Sequence, residues 1–141
     1  MTKKEARTLY RQKRMELTEK DLLRMSDLLL IKFQDLHLPS IHTVHTYLSV
    51  VSQNEIDTSP VIRYLQFRNP GLRIVVPRVK GDGLLHFYYD DETELEVNQW
   101  GIPEPVKAEI ADPLSIDLVL VPLLCFDKKG NRVGYGMGYY D

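Results

Sequence analysis

Cysteine and tryptophan each occur once, as Cys125 and Trp100. One thiol cannot close an internal disulfide, so the fold must rest on burial and hydrogen bonding. No apolar run approaches the roughly 20 residues that span a bilayer, and the N-terminal M-T-K-K-E-A-R lacks the apolar stretch of a signal peptide. The reading is therefore a cytoplasmic protein. Neither sign of charge dominates: 18 basic and 20 acidic side chains leave a net charge of −2, with a pI near 6.1. That balance argues against a general nucleic-acid or anionic-membrane binder, so any anion site must be local. The four histidines, His37, His42, His45 and His86, have no cysteine or carboxylate spacing that suggests zinc. Both G-x-x-x-x-G-K-[ST] and G-x-G-x-x-G are missing, which excludes two common phosphate loops.

What is present is one domain's worth of chain, 141 residues with 43% hydrophobic and 27% charged side chains, enough for one core. Residues 3–17 read as a helix without Gly or Pro, carrying Lys3, Arg7, Arg11 and Arg14 along one face. On the residues alone, a solvated basic face is the preferred account of those cations over an anion site. Thr18 and Asp21 suggest a capping box that opens a second helix to about residue 36, whose Leu22, Met25, Leu29, Phe33 and Leu36 form an apolar stripe expected in the core. Residues 43–51 are rich in β-formers and read as a strand. A polar loop containing Glu55 then leads to a Thr58/Ser59 cap, Pro60 and a short helix over 61–67.

Asn69-Pro70-Gly71 turns the chain into a strand over 72–79, where Pro77 implies a bulge or an unpaired position. Gly81-Asp82-Gly83 makes a hairpin with 84–89. Trp100 lies in the stiff W-G-I-P-E-P segment, either as a stacking wall for a flat ligand or as an ordinary hydrophobic plug. The apolar run 118–126 has the length of a buried strand, and the order of elements is α/β.

That run empties into a loop with Gly130, Gly134, Gly136 and Gly138. Glycines at alternate positions let backbone N–H groups converge on anionic oxygens, Arg132 adds a positive fork, and Asp141 is a hard oxygen ligand of the kind Mg²⁺ takes. Tyr135, Tyr139 and Tyr140 add flat faces and hydroxyls. Taken alone, a glycine-rich loop after a strand is equally well a structural turn.

The whole string F-D-x-x-G-x-R-x-G-x-G-x-G-Y-Y-D at 126–141 resembles the signature of the 5-formyltetrahydrofolate cyclo-ligases, or 5,10-methenyltetrahydrofolate synthetases. K-K-E-A-R at 3–7 is similar to the element with which that family opens. The resemblance implies a three-layer, Rossmann-like open sheet of the CoA-transferase kind with helices on both faces. It also implies an ATP- and Mg²⁺-dependent closure of 5-formyltetrahydrofolate to 5,10-methenyltetrahydrofolate, in a monomer or weak dimer. In this reading Arg132 and Tyr139 are catalytic. Lys3, Arg7, Arg132, Val133, Gly134, Tyr135, Gly136, Met137, Gly138, Tyr139 and Tyr140 bind ATP, and Asp141 holds Mg²⁺.

Leu48, Glu55, Trp100, Tyr135, Met137 and Tyr139 face the folate. Some relatives carry cations where this chain has Tyr135 and Met137, so charge stabilisation is expected to be shared differently here. Relatives also continue past the Y-Y-D, and a C-terminally truncated form of the domain is expected. Two other readings stand beside this one: a nucleotide- or phosphate-binding module without turnover, and another enzyme on the same scaffold, such as a sugar-phosphate isomerase or CoA transferase.

Overall fold

A computed structural model describes residues 1–141. Helix α1 (Lys3–Met15) starts at a full capping box, Thr2 with Glu5, and α2 (Glu19–Gln34) at a second one, Thr18 with Asp21. Each box satisfies two N–H groups that a helix start would otherwise leave unpaired. Helix α3 (Ser59–Arg68) follows, with Pro60 in its first turn. Thr58 occupies the expected cap position without capping: its hydroxyl is 3.1 Å from that of Thr46, tying the helix start to the end of the first strand. No helix is long and apolar enough to cross a membrane.

The main sheet has four strands, β1 (Thr43–His45), β2 (Arg73–Lys80), β3 (Gly83–Tyr89) and β6 (Leu118–Val119), in the order β3-β2-β1-β6. β1 runs parallel to β2 and β6, while β2 and β3 form an antiparallel hairpin. Two ribbons complete the strands: β4 (Leu95–Val97) with β5 (Pro103–Pro105), and β7 (Cys125–Phe126) with β8 (Arg132–Val133).

Strand alternation divides the sheet into two working faces. Val44, Ile74 and Leu118 point to one side, where they meet Val61, Ile62 and Leu65 of α3 and Leu30 and Phe33 of α2. His45 and Val75 point to the other, and Pro77, Val79 and Leu84 on that side line a large cavity with α1 on its far wall. This is the expected open α/β sheet with helices on both sides.

The structure differs from the sequence reading in three places. The strand expected over 43–51 stops at His45. Thr46 N–H still donates to the Val75 carbonyl at 2.9 Å, but the next bond of a parallel ladder needs an N–H from residue 77, which is Pro77. Pro77 is thus unpaired towards β1, while towards β3 it stays in register opposite His86 with no bulge.

The run 118–126 is two strands, not one. Only Leu118–Val119 joins the main sheet, and after Pro122 the chain re-enters as β7 in a separate hairpin that leaves Phe126 exposed. On α2, Leu22 and Phe33 turn inward with Ser26 and Leu30, whereas Met25, Leu29 and Leu36 are exposed. The second half of that helix is apolar nearly all round, so spacing does not distinguish the packed side. Arg78, whose direction the sequence does not decide, points away from the cavity, because its neighbours Pro77 and Val79 face it.

Candidate active site

The cavity measures about 690 Å³, and its walls come from five stretches that are distant in sequence. Every residue expected to bind ATP, folate or metal lines it: Lys3, Arg7, Leu48, Glu55, Trp100 and the whole segment 132–141, while Gly130 lies outside it. Folding brings the basic face of α1 to the glycine-rich loop, so the solvated-face account of those cations does not hold for three arginines. Arg7 Nε donates to the Gly134 carbonyl at 3.1 Å, and Arg11 Nη2 to the Tyr135 carbonyl at 3.2 Å. Arg14 donates from Nη1 to the Tyr135 hydroxyl and from Nη2 to the Leu123 carbonyl at 2.7 Å. Each is one helical turn or less from the last, so one face of α1 reads the loop residue by residue.

Glycine is required at specific points of this loop. Gly136 has φ +100°, and a Cβ there would stand 3.4 Å from the Arg7 guanidinium; Gly138 has φ +70°. Both conformations strain an L side chain. Arg132 and Asp141 form an ion pair of 2.9 Å, and Arg132 also donates to the Tyr140 carbonyl at 3.2 Å. The cation expected for phosphate and the carboxylate expected for metal therefore hold each other.

The rest of the lining is mostly apolar. Trp100 is half-exposed at the rim beside Ile102 and Pro103, and Glu104 accepts from Val79 N–H at 2.6 Å, which fastens this ribbon to β2. Leu48 and Tyr47 border Glu55, whose Oε1 accepts from Val50 N–H at 2.9 Å and whose Oε2 accepts from the Tyr135 hydroxyl at 3.0 Å. Burial, reinforced by the nearby Glu55 charge, pushes the Tyr47 and Tyr135 hydroxyls up to about 12 and raises Tyr140 as well. All three stay protonated donors in neutral water.

Beneath Tyr140 lies His45, its ring 5.9 Å away, with the His86 ring 5.1 Å from His45 on the other side. His45 is fully buried and neither ring nitrogen has a partner. Burial, then the charge of His86, pulls its pKa down to about 4. The sequence reading had no role for Tyr47 or His45, and left Arg11 and Arg14 unassigned. The i, i+4 and i+7 spacing of Arg7, Arg11 and Arg14 was the available signal for the arginines; nothing in the sequence marks the buried histidine.

The family model for the 5-formyltetrahydrofolate cyclo-ligase family matches residues 1–141. The chain belongs to this family. It is 38% identical over 106 residues to the 5-formyltetrahydrofolate cyclo-ligase of Escherichia coli K12, covering 71% of this chain and 56% of the relative. To the Haemophilus influenzae protein of the same name it is 40% identical over 91 residues, covering 62% and 48%. The chain thus spans about half the length of these curated relatives.

Two solved structures share the fold. The 5,10-methenyltetrahydrofolate synthetase of Aquifex aeolicus superposes with a TM-score of 0.75 at 28% identity, over 99% of this chain and 70% of that one. That of Mycoplasma pneumoniae gives 0.73 at 26% identity, over 99% and 75%.

The residues present fit the nucleotide and metal that the sequence resemblance implies. Lys3, Arg7 and Arg132 gather positive charge around a glycine-rich backbone, as a polyphosphate requires. No group of three or more metal-ligating side chains exists, so Asp141 would be a lone protein ligand. That suits Mg²⁺, which commonly takes one or two carboxylates and completes its shell with phosphate oxygens and water.

Proposed function

We propose that the chain carries out the ATP-dependent cyclisation of 5-formyltetrahydrofolate to 5,10-methenyltetrahydrofolate, as a cytoplasmic ligase. The observation that carries this reading is that one cavity gathers two chemically different sets of residues: cations with glycine backbone, and Trp100, Leu48 and Glu55. A polyphosphate matches the first and a flat, donor-rich pteridine the second.

A formyl oxygen is a poor leaving group. Bound ATP supplies the phosphoryl group that activates it, after which N10 of the folate closes the ring and phosphate departs. The chain's residues position and stabilise. Lys3, Arg7 and Arg132 would offset phosphate charge, N–H groups along 133–140 would cradle it, and Asp141 would hold Mg²⁺. Tyr139 completes the catalytic set at the junction of the two ligands. Tyr135 and Met137 separate nucleotide from folate, Trp100 stacks on the ring, and Glu55 accepts from its N–H groups. No protein side chain forms a covalent bond, so positioning and electrostatics carry the rate.

The test mixes this chain with 5-formyltetrahydrofolate, ATP and Mg²⁺ and follows methenyltetrahydrofolate absorbance, with an ATP-free control. An ATP-dependent rise is expected. Nucleotide binding without any rise would replace this reading by a binding module.

A further inference from the structure

The Glu55 carboxylate is held from two directions that the reaction itself does not explain. Its Oε1 is fixed by the Val50 N–H within its own loop, but its Oε2 is fixed by Tyr135, eighty residues away on the glycine-rich loop. The Tyr135 hydroxyl is itself held, because Arg14 donates to it while a second arm of the same guanidinium grips the Leu123 carbonyl. A hydroxyl that accepts from a cation and donates to a carboxylate is polarised in one sense, so its proton points at Glu55.

The frame around this chain of bonds is equally specific. Asn54, beside Glu55, is the one non-glycine residue with positive φ, at 53°. Its amide donates to the carbonyls of Arg14 and Leu17 at 3.0 and 3.2 Å, which pins the Glu55 loop to the end of the helix that bears Arg14. Such a left-handed conformation costs on the order of 1 kcal/mol or more and persists where surroundings over-determine it.

We infer that Arg14 and Tyr135 are positioning residues for Glu55: the relay Arg14 to Tyr135 to Glu55 aims the carboxylate into the folate side of the cavity. This deepens the proposed function and rests on Glu55 being the folate acceptor. It also gives Tyr135 two separable tasks, since its backbone belongs to the nucleotide cradle and its hydroxyl serves the folate. Without that hydroxyl Glu55 keeps only its local tether to Val50, and its carboxylate swings among rotamers.

The test is a double-mutant cycle on folate binding, read through Trp100 fluorescence or calorimetry. 5-Formyltetrahydrofolate is titrated into the wild type, Tyr135→Phe, Glu55→Gln and the double variant, and a non-hydrolysable ATP analogue with Mg²⁺ into each. A hydrogen bond to a charged group implies a loss of about tenfold or more in folate affinity for each single variant. Because the two side chains act through one bond, the double variant is expected to be no weaker than the worse single one. Affinity for the ATP analogue is expected to remain close to the wild-type value, which also reports that each variant is folded. Arg14→Lys, with its charge kept and its fork lost, is expected to raise the KM for folate while leaving the KM for ATP unchanged.

Losses that multiply in the double variant, or a Tyr135→Phe protein with unaltered folate affinity, would overturn the relay and leave the proposed function standing. A wild-type chain that binds nucleotide but no folate would instead overturn the proposed function, and the relay with it.

Discussion

Arg132 illustrates how a single side chain changes meaning with its surroundings. In the sequence it is a cation in a glycine-rich string, whereas in the structure it is paired with Asp141 and the Tyr140 carbonyl. Incoming phosphate and Mg²⁺ would separate the pair and give each member a stronger partner. Arg132→Ala is expected to reduce ATP-dependent turnover about a hundredfold or more, measured by methenyltetrahydrofolate formation, and a wild-type rate would remove it from the site.

His45 gives a prediction of another kind. Its pKa falls from 6.5 when unfolded to about 4 in the buried site, so the unfolded chain binds the extra proton first as pH drops. Stability is therefore complete above about pH 6.5 and declines down to about pH 4, by on the order of 3 kcal/mol. Asp21, Asp117 and Asp127, all lowered by hydrogen bonds, add their losses only at more acidic pH. Burial lowers His86 as well, which adds to the loss below about pH 6.5, so thermal melts across this range should show the decline and His45→Leu should reduce it between pH 6.5 and 4.

At the scale of elements, α1 is the working part. It is a short helix with a single buried residue, Ala6, so its own packing is slight. What fixes it is the Thr2 capping box at one end, the three arginines along its length and the Asn54 amide at the other end. Thr2→Ala should cost about 1 kcal/mol in stability, read by urea denaturation, and should raise the KM for ATP because Lys3 lies in the first turn. Lys3→Ala should raise that KM with no change in stability, and an unchanged KM would return Lys3 to the solvated face.

The T-x-x-E and T-x-x-D signals made both helix starts readable. The early end of β1 was not readable from either strand alone. It follows from Pro77 on the neighbouring strand, whose register partners lie 30 residues apart and which lacks the donor the ladder needs next.

For the molecule as a whole, stability concentrates on one side of the sheet. Val44, Val61, Ile62 and Leu65 form the buried cluster there, while much of α2 beyond it stays exposed. Leu65→Ala should lose about 2–5 kcal/mol in denaturant unfolding, whereas Leu28→Ala should change stability by less than about 0.5 kcal/mol. Equal losses would mean that Leu28 is packed in solution. The other side of the sheet is given over to the cavity, with aromatic and polar groups where a second apolar layer would otherwise sit.

The sequence by itself determined the helix starts, the hairpin and the α/β class, because caps and turns act over a few residues; that its two ends belong to one site came only from their resemblance to a family's motifs. Only the tertiary structure decided which side of α2 is buried, that the run 118–126 splits between two sheets, and that Arg14 reaches Glu55 through Tyr135. Those outcomes depend on what a side chain meets after residues 40 to 121 apart are brought together. Spacing along the chain carries no record of such encounters.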